Sequence, residues 1–311
     1  MTRHFQILVS ENMPSNLPAN TLIINEFSKI QNLLGQEFET ILFDARKGIH
    51  LEALAIVAGT LKMNGALIVL LSNWEKLHFQ IDEDSLRWSG SLETITTPRF
   101  IAYFKHCIHK YGFPVIYHQN DLKFDRAFQQ LFVNHNATLD QQKIIEQILQ
   151  KESELYFLTA KRGRGKSALA GLLANQLDTK IYLTAPNKSA VKILAEFSQK
   201  EIIFIAPDAL FLALQNDPSF SENAWLFVDE AAMLPIAQLT AFSHHFKHIL
   251  FTTTIHSYEG TGRGFELKFK QKINRTFSDF ELIEPLRWSK DDALEAFIDE
   301  LLLLDVEDEV K

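Results

Sequence analysis

The stretch of this 311-residue chain that most constrains its fold is LYFLTAKRGRGKSALAGLL, residues 155–173. It predicts a short apolar strand, a glycine-rich turn and a helix, and the turn fits the pattern A-x-x-x-x-G-K-S from Ala160 to Ser167. This is the pattern of a phosphate-binding P-loop, with alanine where the strict pattern has glycine. Gly163 and Gly165 allow backbone conformations closed to other residues, so that N–H groups of the turn can face a phosphate.

The residues that follow the turn indicate that the bound phosphate belongs to a nucleoside triphosphate. The helix expected to begin near Lys166 points its positive end at the turn. We expect Lys166 to bridge the β- and γ-phosphates of ATP and the Ser167 hydroxyl to bind Mg²⁺. An ordinary strand-to-helix turn with an exposed lysine is the competing interpretation, and the flanking elements make it the weaker one. The nucleotide-binding residues predicted around the turn are Ala160, Gly163, Arg164, Gly165, Lys166, Ser167 and Ala168.

A second motif, AWLFVDEAAMLP (residues 224–235), predicts a buried strand that ends at an acidic pair. Ligands gather at the carboxyl ends of strands in open parallel sheets. We expect Asp229 to hold Mg²⁺, directly or through water, and Glu230 to orient and deprotonate the attacking water. A solvated acidic pair at a strand end would have the same sequence. The P-loop about 60 residues earlier favours a site that hydrolyses ATP.

The segment TLDQQ before the P-loop strand gives a weaker signal for adenine recognition. Thr138 can cap the helix that follows. In many helicase-like ATPases a T-x-x-Q entry places its glutamine on the adenine edge, where an amide can both donate and accept a hydrogen bond. Gln141 fits this spacing, and Gln142 is the alternative.

Three threonines and two arginines are further candidates for contacts with the γ-phosphate. The strand predicted at His248–Thr254 ends in three threonines, whose hydroxyls either sense the phosphate or satisfy local backbone groups. Arg263 lies in a glycine-rich loop beyond that strand and can reach the phosphate of ATP or of RNA. Arg287, in LIEPLRW, would supply a planar and permanently charged fork.

RNA contacts are predicted less sharply. The segment TAPNKSA resembles a motif of RecD-type helicases that touches the nucleic-acid backbone, which makes Lys188 and Ser189 candidates, although a capped helix with a solvated lysine explains them equally well. Tyr258, Phe265 and Phe269 alternate with basic residues, a mixture that suits base stacking with phosphate contact. A half-buried strand over FELKFK explains the same letters nearly as well.

The remaining pattern predicts an α/β protein: a small N-terminal α/β domain followed by a RecA-like P-loop NTPase domain with a mainly parallel sheet. Strands are expected at 21–25, 40–44, 66–71 and 115–117, with helices at 51–61 and 98–110. The expected organisation is a domain at 1–125, a linker at 126–137, a RecD-like ATPase domain at 138–290 and an acidic helical segment at 291–311.

The composition bears on where the protein is found and on which kinds of partner it can have, and says little about its chemistry. No apolar run approaches the roughly 18 residues of a membrane span, so no membrane partner is expected. A single cysteine excludes an internal disulfide, and the cytoplasm is the expected location. The net charge of −8 argues against a protein that binds nucleic acid over most of its surface. Residues 263–275 are nevertheless locally basic.

Taken together, these motifs resemble the bacterial tRNA(Met) cytidine acetyltransferase family, which is related to the eukaryotic RNA cytidine acetyltransferases. The resemblance is carried by FDARKGIHLEALAIVAGTL, AKRGRGKSA, VDEAAMLP, TTTIHSYEGTGRGFELKF and EPLRWSKDDALEAFIDELLLLD. It implies an N-terminal domain and a RecD-like helicase module that hydrolyses ATP or GTP. It also implies N4-acetylation of the wobble cytidine of tRNA by a GNAT domain that uses acetyl-CoA. Gln141, residues 163–167 and Arg287 would be its nucleotide-binding positions.

The sequence therefore predicts a P-loop ATPase module of a tRNA-acetylating enzyme, with ATP, Mg²⁺ and RNA, most simply tRNA, as its ligands. The chain ends at Lys311, about where the acetyltransferase domain is expected, so acetyl-CoA and acetyl transfer are expected only when that domain is supplied, and a separate acetyltransferase domain is one candidate partner. The alternative is a nucleotide-dependent RNA-binding or scaffold module without useful turnover. Duplex unwinding is disfavoured, because only one RecA-like unit fits in residues 138–290.

Overall fold

A computed structural model describes residues 3–27, 30–33, 36–124, 137–151, 153–161, 163–186, 188–254, 268–286, 288 and 291–303. The chain divides into two compact units: Met1–Gln130 with Arg287–Lys311, called unit 1, and Leu131–Leu286, called unit 2. Each unit is built on a parallel sheet of its own.

The described segments contain the following elements. The strands are β1 (His4–Val9), β2 (Leu22–Ile24), β3 (Phe38–Asp44), β4 (Leu61–Leu71), β5 (Ile81–Asp82), β6 (Ile95–Thr96), β7 (Val115–Ile116), β8 (Leu155–Ala160), β9 (Lys180–Thr184), β10 (Ile203–Phe204), β11 (Ala224–Val228), β12 (His248–Thr254) and β13 (Phe277–Leu282). The α-helices are α1 (Leu51–Thr60), α2 (Ser85–Trp88), α3 (Pro98–Lys110), α4 (Leu139–Gln150), α5 (Lys166–Gln176), α6 (Ser189–Phe197), α7 (Pro207–Asn216), α8 (Ile236–His245) and α9 (Ala293–Leu301). Short 3₁₀ helices cover Ile30–Leu33, Leu77–Phe79, Gln119–Asp121, Pro218–Ser221 and Ala231–Met233.

Unit 1 contains a five-stranded parallel sheet in the order β2-β3-β4-β1-β7. The apolar run at the end of β4, Ala66–Leu71, is buried throughout, as expected of a parallel strand covered on both faces. The strands and helices predicted for this unit are confirmed. Strand β1 was not predicted, because His4 and Gln6 interrupt its short apolar run. A small antiparallel pair, β5 and β6, stands beside the main sheet.

The C-terminal helix α9 packs within unit 1. Asp292 caps α9 and forms a buried ion pair with Arg3, whose Nη2 lies 2.6 Å from Asp292 Oδ1. The Arg3 guanidinium also stacks 3.8 Å from the ring centroid of Trp288, and Phe5 contacts Phe297 at 5.0 Å between centroids. These contacts group the end of the chain with its beginning. The separate segment expected at 291–311, like the other domain boundaries, stays a prediction.

Unit 2 is a three-layer α/β structure around a six-stranded parallel sheet, β10-β9-β11-β12-β8-β13. Side chains of β8 alternate between the two faces, as the period of a strand requires. Tyr156 and Leu158 join a core cluster with α4 and α5, while Leu155 and Phe157 join a second cluster with α7 and α8. The predicted α/β fold class with its mainly parallel sheets is therefore confirmed.

The register of unit 2 brings three strand ends together. Thr254 of β12 pairs with Ala160 of β8, and Val228 of β11 pairs with Phe251 of β12. Because all of these strands are parallel, the residues that follow them meet at one edge of the sheet.

Two other observations bear on the sequence predictions. Residues 268–270 form a helical turn, so the alternative interpretation of FELKFK as a strand is wrong there, and residues 265–267 lie outside the described segments. Among the described helices, none combines the length and hydrophobicity that crossing a bilayer requires.

Candidate nucleotide site

The P-loop turn has the backbone that its glycines predict. Gly163 and Gly165 have φ of +74° and +80°, and Gly165 is the N-cap of α5. A Cβ at Gly165 would lie 2.2 Å from Leu286 Cδ1, in addition to the strain of a left-handed backbone. The Leu286 N–H donates to the Gly163 carbonyl at 2.9 Å, which ties the turn to the segment after β13.

Lys166 lies in the first turn of α5 and is 8% exposed. Its Nζ donates a hydrogen bond to Thr254 Oγ1 at 2.9 Å and lies 3.7 Å from Glu230 Oε1. The ammonium is thus held at the sheet edge by a hydroxyl and a carboxylate, two oxygen groups that a phosphate can replace.

Asp229 and Ser167 supply two oxygen groups at the same edge. The Asp229 N–H donates to the Thr184 carbonyl at 2.9 Å, and Thr252 Oγ1 donates to Asp229 Oδ1. Ser167 Oγ lies 3.5 Å from Asp229 Oδ2. Burial raises the pKa of Asp229 and the neighbouring Glu230 raises it further, while the Thr252 hydroxyl and Lys166 act in the opposite direction. A bound divalent cation would favour the charged carboxylate, so this pair suits a cation site.

Glu230 has a left-handed backbone, with φ of +49°, which is uncommon for a residue other than glycine. Thr254 holds its carboxylate with two donors: the hydroxyl donates to Oε1 at 2.6 Å and the backbone N–H donates to Oε2 at 3.2 Å. The Glu230 side chain remains 37% exposed. Its orientation is therefore fixed from the β12 side while part of the carboxylate stays open to solvent.

The three threonines at the end of β12 have different partners. Thr252 and Thr254 bond the side chains of Asp229 and Glu230, whereas Thr253 Oγ1 accepts the Ala232 N–H at 3.1 Å. Of the two sequence interpretations, backbone satisfaction thus applies to Thr253. The specific bonding of Thr254 to both Lys166 and Glu230 was not predicted. The only sequence signal for it was the hydroxyl run itself.

Gln141 contacts the P-loop through its side chain. Its Oε1 accepts the Thr138 N–H at 3.0 Å and its Nε2 donates to the Gly165 carbonyl at 3.1 Å, so the predicted Thr138 cap is part of a complete capping box. Gln141 is 2% exposed, whereas Gln142 bonds the nearby Ala137 carbonyl. The amide of Gln141 couples the start of α4 to the P-loop, and its contact with adenine stays a prediction.

The remaining predicted positions divide into three groups. Arg164 donates from Nε to the Ile283 carbonyl at 2.9 Å, which directs this part of the side chain towards the segment after β13. Ala160 and Ala168 are buried beside the turn. Arg263 and Arg287 lie outside the described residues, so the structure does not test them.

The candidate RNA-contact residues differ in their exposure to solvent, and two of them lie outside the described residues. Lys188 is exposed at the N-cap of α6, where its side chain makes no capping bond. Phe269 is fully buried against Phe157 and Phe251, so its predicted stacking on RNA bases is wrong. Tyr258 and Phe265 lie outside the described residues.

Known proteins are similar to this chain over both of its units. Residues 157–305 match the family model described as RNA cytidine acetyltransferase NAT10/TcmA, helicase domain. Residues 5–119 match the model described as tRNA(Met) cytidine acetyltransferase TmcA, N-terminal.

Curated relatives with the name tRNA(Met) cytidine acetyltransferase TmcA extend this similarity. The chain is 60% identical to the protein of Haemophilus influenzae, over 99% of this chain and 47% of the relative. It is 39% identical to the proteins of Actinobacillus pleuropneumoniae (89% of this chain, 47% of the relative) and Haemophilus ducreyi (97% and 51%). The chain spans about half the length of the curated relatives it matches. Among solved structures, the UvsW helicase from bacteriophage T4 aligns with 64% of this chain and 86% of that chain at 10% identity, with a TM-score of only 0.37.

Proposed function

Because this chain belongs to the tRNA(Met) cytidine acetyltransferase family, we propose that its P-loop unit binds and hydrolyses ATP as the helicase-like module of such an enzyme. The observation that carries the proposal is the cluster at the ends of β8, β11 and β12. There Lys166, Glu230 and Thr254 contact one another, and Asp229 lies beside Ser167.

The residues present fit a magnesium ion. Ser167 Oγ and the buried Asp229 carboxylate form an oxygen donor pair, and hard cations such as Mg²⁺ take few protein ligands together with phosphate oxygens and water. Across the described residues no cluster of three histidine, cysteine or acidic side chains is placed to hold a metal. When bound, Mg²⁺ neutralises charge on the β- and γ-phosphates.

Each charged side chain has a separate role in hydrolysis. Backbone N–H groups of the P-loop and the Lys166 ammonium bind the phosphates, with Lys166 exchanging Thr254 and Glu230 for phosphate oxygens. Glu230, oriented by the two Thr254 donors, accepts a proton from the water that attacks the γ-phosphate. The P–O bond to the β-phosphate breaks, and ADP leaves with the electron pair of that bond. Lys166 stabilises the negative charge that develops on the phosphate oxygens in the transition state, together with Arg287 or Arg263 in our proposal.

The wider role follows from the family. We propose that the module acts on RNA, most simply tRNA(Met), in the cytoplasm, and that it works with an acetyltransferase domain that uses acetyl-CoA. Exposed Lys188 is a proposed contact with the RNA backbone. Phosphate contacts of this kind position the nucleic acid and carry no sequence information directly.

The second candidate function is a nucleotide-dependent RNA scaffold with little turnover. It is favoured by the pairing of Lys166 with Glu230, since each of these charges already has an opposite charge 3.7 Å away. A site that stays in this arrangement binds nucleotide without activating water.

Phosphate release by the 311-residue protein, with and without tRNA, separates the two functions. The ATPase proposal predicts turnover that tRNA raises, loss of turnover in Lys166→Ala, and loss of turnover with retained ATP binding in Glu230→Gln. Binding without turnover in the wild-type protein would select the scaffold. Normal hydrolysis by Glu230→Gln would remove the role of Glu230 as the base.

A further inference from the structure

Unit 1 contains a cavity of about 700 Å³ that the proposed nucleotide chemistry does not use. This volume falls within the range of about 300–1,000 Å³ that is common for small-molecule sites. Its apolar walls come from Ile49, Leu51, Trp88, Ile95, Pro98 and Phe100. Its polar lining comes from Asp82, Asp84, Arg87, Thr96, Thr97 and Arg99.

The two acidic residues in the lining both accept hydrogen bonds from other groups of unit 1. Asp84 accepts two hydrogen bonds of 2.9 Å from Arg87, one at each carboxylate oxygen. Asp82 accepts the Asp84 N–H at 3.0 Å, and its Oδ1 faces Gly48 so closely that a Cβ there would lie 2.2 Å away. The carboxylate of Asp84 is therefore turned towards Arg87, and Oδ1 of Asp82 is turned towards the backbone at Gly48 and Asp84.

Arg99 differs from the other charged residues of the lining. It is exposed, and it makes no hydrogen bond, ion pair or ring contact with any residue in the described part of the chain. The hydroxyls of its neighbours Thr96 and Thr97 likewise have no hydrogen-bond partner among the described residues, and Thr97 caps α3 without a side-chain bond. A guanidinium and two hydroxyls in the lining of one cavity form a donor set suited to a carboxylate or a phosphate.

The apolar walls are also incompletely covered. Trp88 is 53% exposed and Ile95 is 39% exposed, although both line the cavity. Burying such surface against an apolar ligand is favourable by about 25 cal/mol per Å². The lining of the cavity thus combines uncovered apolar surface with a cation that has no partner among the described residues.

We propose that this cavity binds a small amphiphilic anion. Its apolar chain or ring lies against Trp88, Ile95 and Phe100, and its carboxylate or phosphate head group binds Arg99 with help from the Thr96 and Thr97 hydroxyls. The site shares no residue with the nucleotide site, because every residue that lines it belongs to unit 1.

Displacement of the fluorescent anion anilinonaphthalene sulfonate from the full 311-residue chain tests this site. The competing probes are decanoate, decanol, decyltrimethylammonium and acetate, each below its micelle concentration. We expect decanoate to bind about tenfold more tightly than decanol, since the two share an apolar chain and differ in a charged hydrogen-bonding head. Decyltrimethylammonium and acetate should compete more weakly than either.

Three variants locate the binding. Arg99→Gln should remove the preference for decanoate over decanol, and Thr96→Trp should fill the cavity and weaken both probes. Lys76→Gln removes another exposed positive charge of unit 1 that does not line the cavity, so it should change neither affinity. Far-ultraviolet circular dichroism and melting temperature establish that each variant is folded.

Several results would overturn the proposal. They are no saturable binding to the wild-type protein, equal affinity for decanoate and decanol, tighter binding of decyltrimethylammonium, and an unchanged preference in Arg99→Gln. Loss of the preference in Lys76→Gln as well would show a general charge effect and would also overturn it.

Discussion

Thr254→Val tests how the structure orients the candidate base. The substitution keeps the shape of a β-branched side chain in β12 and removes one hydroxyl. That hydroxyl donates to Glu230 Oε1 at 2.6 Å and accepts from Lys166 Nζ at 2.9 Å. The backbone N–H of residue 254 still reaches Glu230 Oε2, so the carboxylate loses one of the two donors that Thr254 provides.

The size of the effect follows from these contacts. A hydrogen bond to a charged group contributes about 1.5–3 kcal/mol, and each 1.4 kcal/mol of barrier is about tenfold in rate. We therefore expect kcat to fall by roughly 10- to 100-fold. The Kd for ATP should stay the same or decrease, because Lys166 loses an acceptor that competes with phosphate.

Steady-state phosphate release and titration with ATP measure kcat and Kd separately. Thr254→Ser should restore most of the activity, since it returns the hydroxyl. Thr253→Val is the matched control: it removes the neighbouring hydroxyl, which accepts the Ala232 N–H, and should lower stability while leaving kcat nearly unchanged. An unchanged kcat in Thr254→Val, or an equal fall in both threonine variants, would refute the assigned role of Thr254.

Three further predictions concern the P-loop and unit 1. Gly165→Ala should abolish nucleotide binding and lower the melting temperature, because the added Cβ would clash in a left-handed turn; isothermal titration and thermal unfolding measure the two effects. Asp292→Asn should cost about 3–5 kcal/mol in urea unfolding, since it leaves the buried guanidinium of Arg3 without its opposite charge. Glu300→Gln should lower the melting temperature at pH 7 but not at acidic pH. Its hydrogen bond from Lys110 lowers the pKa of Glu300 below the ordinary 4.5, so its contribution is present above that value and is lost as the pH falls through the lowered pKa. An equal loss for Glu300→Gln at both pH values would contradict the last prediction.

The sequence identified those parts of the fold that depend on local pattern. Strands β8 and β11 are short apolar runs that end at a P-loop and at an acidic pair, and both were predicted together with the helix after the P-loop. Strand β13 was missed although FSDFEL alternates between exposed and buried positions, because a single period-2 segment of six residues is a weak signal.

The contacts within the site depend on strand register, which local pattern does not specify. Thr254 meets Glu230 only because β12 and β11 pair in one particular register. A slip of one residue would turn every side chain of β12 to the other face and would exchange the positions of Thr253 and Thr254. The sequence therefore indicated that hydroxyls lie near the phosphate site, but it did not indicate which threonine holds the carboxylate.

Phe269 shows the limit of arguments from composition. Its aromatic ring among basic residues suits RNA stacking as a pattern, yet the ring is buried against Phe157 and Phe251. Burial in the core depends on how distant strands pack, whereas the pattern records only neighbours in the chain. The same reasoning applies to Gln141, whose buried amide bonds the Gly165 carbonyl through a contact 24 residues distant in sequence.

Isothermal titration of the purified 311-residue protein with ATP, in the presence of Mg²⁺ and again with excess EDTA, tests the central claim most directly. The account predicts saturable binding that Mg²⁺ strengthens, that Lys166→Ala abolishes and that Glu230→Gln retains. A wild-type protein with no measurable affinity for Mg–ATP, or one whose affinity is unchanged by Lys166→Ala, would contradict it.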